Sequence, residues 1–178
     1  MLNQNSFPSN GFPAAYLISK KIDAETFKTF FQRVRDETGD IRTRALMSDD
    51  YPAYYNAWKE VMSEPENRLI CAWHVLHSWE RNFKKIIDKK KQAEVREKMT
   101  KIMKTPDELE FKVEFERYLE QLLASKSTVE FGRYIATYYK NRTQAWAYCY
   151  RKGLGINTNM HLEAMHKYEH SNRFQTCE

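Results

Sequence analysis

Residues 45–79, ALMSDDYPAYYNAWKEVMSEPENRLICAWHVLHSW, constrain the fold of this chain more than any other stretch. Apolar Ile41 and residues 45–47 lead into Ser48, Asp49 and Asp50, and Pro52 suits the first turn of a helix carrying Tyr55, Trp58, Val61 and Met62. The pattern predicts a buried strand ending in a carboxylate, a helix, and a second strand that leaves Cys71 and His74 three residues apart. Open α/β sheets place chemistry in the crevice beyond the carboxyl ends of their strands, which makes Asp49 a candidate site residue.

The flanking sequence extends this alternation. Residues 1–10 are polar and read as a frayed lead-in, after which residues 14–19, AAYLIS, have the length and apolarity of a strand. Asp23 can cap the next helix, whose apolar face is Phe27, Phe30, Phe31 and Val34, and Gly39 closes it before a strand over 41–48. Strand, helix, strand, helix, strand is the order of a mixed or parallel sheet with helices on its faces.

From Val75 to about Tyr150 the periodicity is helical and turn chemistry is scarce. Thr105, Pro106 and Glu108 read as a capping box opening a helix with Leu109, Val113, Phe115, Leu119, Leu122 and Leu123. The next helical stretch is aromatic, with Phe131, Tyr134, Ile135, Tyr138, Tyr139, Trp146, Tyr148 and Tyr150, and packing between helices is the expected use of that stripe. Gly153 and Gly155 break the helix, and residues 161–170 resume as one with Glu163 in its first turn. The expected layout is a lead-in over 1–10, an α/β core built from 11–75 and 155–178, and a helical insertion over 76–154.

Composition narrows the function classes. With 178 residues, 42% of them apolar and 14% aromatic, the chain can bury a core and is no disordered segment. No apolar run approaches a membrane span, and the first residues lack the basic and apolar regions of a secretory signal, so the expected location is nucleus or cytoplasm. Five glycines and no Gly-rich phosphate loop argue against a nucleotide-dependent enzyme. Cys71, Cys149 and Cys177 form no disulfide framework, and a structural zinc at Cys71 and His74, completed by His77, His161 or His166, is disfavoured. The net charge of +5 permits a polyanionic partner, and cations gather in 81–104, where Arg81, Lys84, Lys85, Lys89, Lys90 and Lys91 are the candidate phosphate contacts. A solvated helical face is the plainer reading of such a run.

Two carboxylates, Asp49 at a strand end and Glu163 at a helix start, could hold Mg²⁺ or Mn²⁺ for phosphoryl chemistry. The words around them carry a resemblance. GFPAAYLIS, LMSDDYPAYYNAW, LICAWH, RTQAWAYCYR and INTNMHLEAMHKY occur in that order, and together they resemble the Mutator-like element (MULE) transposases over about residues 11–170. The resemblance implies an RNase H-like sheet with a large all-α insertion, a DDE-type DNA cleavage and strand-transfer ancestry, and DNA as partner. It maps Asp49 to the second catalytic Asp, Glu163 to the catalytic Glu, and Cys71 and His74 to the C-x-x-H pair of that family.

One departure accompanies the match. The family's first Asp ends the strand before GFPAAYLIS, whereas here no Asp or Glu precedes Asp23. The resemblance therefore implies a truncated copy, incomplete at the amino-terminal side of its sheet and inactive in cleavage on its own. The competing expectations are a non-catalytic DNA- or protein-binding module and a relic reading frame that does not fold stably.

Overall fold

The computed structural model describes residues 14–156. Its first helix, α1 (Ala24–Thr38), starts where expected, because the Asp23 carboxylate accepts the Thr26 N–H at 2.9 Å and the Thr26 hydroxyl at 2.7 Å. It stops at Gly39, whose φ of 76° lets the chain turn away while its N–H still donates to the Arg35 carbonyl at 2.8 Å. Strand β1 (Ala45–Ser48), helix α2 (Pro52–Val61) and strand β2 (Asn67–Ile70) follow. The strands run parallel, with Ala45 opposite Asn67 and Ser48 opposite Ile70, and α2 is the crossover that such a pair requires.

Two expectations shift here. Residues 14–19 are extended but join no ladder, and they lie exposed along the outer face of α1, with Ile18 83% exposed. Strand propensity becomes a strand only where a neighbouring edge supplies hydrogen bonds, and the described residues contain one ladder, β1 with β2. For the same reason the expected strand over 41–48 is paired only over Ala45–Ser48.

Helices then continue with α3 (Ala72–Asn82), a 3-10 turn (Phe83–Lys85), α4 (Lys89–Lys104), α5 (Glu108–Ala124), α6 (Val129–Tyr138), a second 3-10 turn (Lys140–Arg142), and the short α7 (Thr143–Trp146) and α8 (Tyr148–Arg151). The expected capping box is displaced by two residues. Asp107 caps α5, its carboxylate accepting the Glu110 N–H at 2.8 Å, while the Thr105 hydroxyl donates back to Lys101 at the end of α4. Pro106 forbids continuation of α4, and a carboxylate is a stronger acceptor for an N-terminal amide than a hydroxyl already engaged behind it.

Two cores result. The larger gathers Trp79, Met99, Ile102, Phe111, Phe131, Ile135, Tyr139 and Trp146, with Ile70 of β2 reaching into it. Trp146 is its hub, edge-on to Trp79 and Phe111 at 5.4 Å each. The aromatic stripe is thus core in Phe131, Tyr139 and Trp146, while Tyr138 faces solvent at 57% exposure. Helices α5 and α6 approach so closely at Gly132 that an added Cβ would lie 3.1 Å from backbone atoms of Leu122 and Leu123. The smaller core packs α1 against α2 through Phe31, Ala57, Trp58, Val61 and Met62, the Phe31 ring meeting Tyr54 and Trp58 edge-on. The architecture is therefore mixed α/β, mostly helical, with a small two-stranded parallel sheet and a large all-α part. Among the described residues no helix is long and apolar enough to cross a membrane.

Candidate functional site

The carboxyl ends of β1 and β2 lie side by side, because the Cys71 N–H donates to the Ser48 carbonyl at 2.8 Å and extends the pairing beyond Ile70. Asp49 follows β1 directly and is exposed, its carboxylate accepting the Tyr51 N–H at 3.3 Å. Burial, helped by that carboxylate, pushes the Tyr54 phenol up from its ordinary value. Asp49 therefore orders the turn into α2 and still leaves its carboxylate exposed beside the strand ends.

Cys71 is fully buried where β2 passes into α3, and its carbonyl accepts the Val75 N–H that starts the helix. His74 stands one turn on, edge-on to the Trp73 ring at 4.8 Å, while Trp73 stacks on His77 at 4.8 Å. Among the described residues no group of three or more His, Cys, Asp or Glu side chains converges as metal ligands. Glu163, His161 and His166 lie outside the described residues.

Two arginines bind the strand ends from the helical side, and the sequence reading missed both. Arg142 binds Asp50 in bidentate fashion, at 2.5 and 2.6 Å, also donates to the Tyr138 carbonyl, and lies 4.9 Å over the ring of Tyr139, whose phenol is pushed up by burial. Arg151 is 2% exposed and donates from one nitrogen to the carbonyls of Ile70 at 2.9 Å and Ala145 at 2.8 Å. Burial pulls its guanidinium below the ordinary range, and the neighbouring Cys71 sulfur acts in the opposite direction. Arg142 is half-buried and Arg151 fully buried, so both fix how the strand ends meet the helices. Their positions flanking an aromatic run were the available signal; their acceptors, far away in sequence, were not readable. Asp50 is spoken for, and the Arg142 cation beside it opposes a divalent ion, so this donor set does not fit a Mg²⁺ or Mn²⁺ centre by itself.

The cationic candidates occupy a separate surface. Arg81 is in the last turn of α3, Lys84 and Lys85 are on the 3-10 turn, and Lys89, Lys90 and Lys91 form the first turn of α4 behind the Asp88 cap. Lys91 pairs with Glu94 at 2.6 Å, whereas Arg81, Lys84, Lys85, Lys89 and Lys90 are exposed and make no ion pair with the described residues. Three lysines in a first turn face the positive end of the helix dipole, an arrangement that α4 gains nothing from. Helix α5 shows the favourable choice, with Glu108 and Glu110 in its first turn.

Comparison of the chain with protein-family models, curated proteins and solved structures finds no match.

Proposed function

We propose that this chain is a DNA-binding module with an RNase H-like core, descended from a MULE transposase and without cleavage activity of its own. The observation that carries the binding is the run of exposed cations at Arg81, Lys84, Lys85, Lys89 and Lys90, which makes no ion pair with the described residues and of which Lys89 and Lys90 oppose the α4 dipole. Cations held at a cost to their helix are explained by an anionic partner, and a phosphate backbone is one that takes up such a run.

The descent is supported by the parallel β1–α2–β2 unit with Asp49 at its carboxyl end, followed by a large all-α part. The absence of cleavage is supported by the engagement of Asp50 with Arg142. Two-metal phosphoryl transfer needs clustered carboxylates, and here a fixed guanidinium occupies the acid next to Asp49. Glu163 remains the proposed catalytic Glu of the ancestral site, with Asp49 as its second Asp.

Fluorescence anisotropy of a labelled duplex, measured between 50 and 200 mM salt alongside nicking of supercoiled plasmid in Mn²⁺, tests both halves. The expected result is binding that weakens steeply with salt and no nicking. Nicking that disappears in Asp49→Ala would make the chain a nuclease, and absence of salt-dependent binding would remove the DNA reading.

A further inference from the structure

The outer face of α4 carries a shallow groove of about 810 Å³. It is bordered by Lys89, Gln92, Arg96, Lys101 and Lys104 and by the Phe83 ring, over which the Arg96 guanidinium sits at 5.5 Å. We propose that this groove is the seat of the nucleic-acid backbone, with Arg96, Lys101 and Lys104 extending the phosphate contacts beyond the first turn of α4. The inference rests on the reading that the partner is DNA, and assigns that partner a path.

The spacing makes the path continuous. Lys89, Lys101 and Lys104 fall outside the stripe of Val95, Met99, Ile102 and Met103 that is spent in the core, and Arg96 stands at its margin beside Met103. At about 1.5 Å per residue the cations extend over roughly 22 Å, about six base-pair steps at about 3.4 Å each. Lys101 and Lys104 are exposed and make no ion pair with the described residues. Arg96 is shared with Glu80 at 2.8 Å, and Glu97 also lines the groove, so Lys89, Lys101 and Lys104 supply most of the available charge. Ala93 and Thr100 are the short side chains of the wall between Lys89 and Lys101, beside Arg96 and the acid Glu97.

A membrane surface is the weaker fit for the same charge. Interfacial helices lay an apolar stripe into the lipid beside their cations, and the apolar stripe of α4 is already buried against α3, α5 and α6 residues. Phe83 is 5% exposed and has no face to insert.

The test uses the full chain, a labelled 20-base-pair duplex and two variants with equal change of net charge. One is Lys101→Glu with Lys104→Glu in the groove; the other is Arg33→Glu with Arg42→Glu on the α/β side, where both arginines are exposed. Circular dichroism melts establish that each variant folds. The expected result is a loss of tenfold or more in affinity for the groove variant and a salt slope shallower by about 2, with the control within about threefold of the parent. Equal losses in both variants would reduce the effect to net charge and overturn the groove. Duplex binding that survives unchanged in the groove variant would overturn it too, while leaving the DNA reading standing. No duplex binding by the parent chain would sink that reading itself. Binding to phosphatidylserine vesicles in place of duplex, or displacement by polyglutamate as readily as by unlabelled duplex, would overturn the nucleic-acid assignment.

Discussion

The α/β unit and the helical body of this protein hold together by different means. The helical body closes on itself: Trp146, Trp79, Phe111, Phe131 and Tyr139 are each no more than 1% exposed, and Trp79, Phe111 and Tyr139 pack edge to face with Trp146. The α/β unit has one helix pair over two four-residue strands, its largest core side chain, Trp58, is 8% exposed, and a two-stranded ladder is marginal by itself. What the sheet lacks, the helices supply. Ile70 is buried in the helical core, Arg151 binds the Ile70 carbonyl, and Arg142 grips Asp50. The strand ends, where the candidate site lies, are therefore positioned from the helical side.

The sharpest way to break this contrast is to empty each core in turn. Trp146→Ala should cost about 3–5 kcal/mol in a guanidinium titration, and Trp58→Ala less, at about 2–3 kcal/mol, because its site is partly open to solvent. Equal costs would mean that the α/β unit is as tightly closed as the helical body. Next in size is the joint: Arg151→Met keeps an apolar stem but leaves the Ile70 and Ala145 carbonyls unpartnered, for an expected loss of about 3 kcal/mol. If the sheet depends on that joint, amide exchange in β1 and β2 should quicken more than in α5 and α6; uniform quickening would say that the two regions unfold as one.

Gly132→Ala tests the helical side alone. The new Cβ would press on the backbone of Leu122 and Leu123, so a cost of about 1–3 kcal/mol is expected despite the better helix propensity of alanine. A stabilised variant would show that α5 and α6 can separate freely.

The smallest effect belongs to the α/β unit and appears as pH dependence. Asp40 accepts from the Ser63 backbone N–H at 2.8 Å and from the Ser63 hydroxyl, which tethers the loop after α2 to the loop after α1. Those two bonds hold its carboxyl below the ordinary value, as the bonds from Thr26 do for Asp23. A carboxyl whose folded pKa is depressed stabilises the fold above its unfolded value of about 3.9, and the contribution disappears as pH falls through the folded value. Melting temperature should therefore drop on acidification below about pH 4, and Asp40→Asn should flatten part of that drop. A profile identical to the parent's would show the tether to be idle.

Much of the local structure was legible in advance. Asp23 as a cap, Gly39, Gly153 and Gly155 as left-handed stops, Pro52 at a helix start and the helical periodicity after Val75 all appear where the residues put them. Each depends on atoms within a few positions. The expected capping box at Thr105 moved to Asp107 because two local signals overlapped and the stronger acceptor took the amide. At the candidate site, the positions of Asp49 after β1 and of Cys71 after β2 followed from the strand pattern, whereas the Asp50–Arg142 pair spans 92 positions and has no local trace.

The sequence by itself determined the start and stop of α1 at Asp23 and Gly39, the start of α2 at Pro52, and that cations collect between Arg81 and Lys104. Only the tertiary structure decided that residues 14–19 join no ladder among the described residues, that Arg142 and Arg151 clasp the strand ends, and that Lys101 and Lys104 line one groove with Lys89. Caps and periodicities act over one or two turns of backbone. Ladders, buried guanidinium contacts and grooves need partners that folding alone brings within reach.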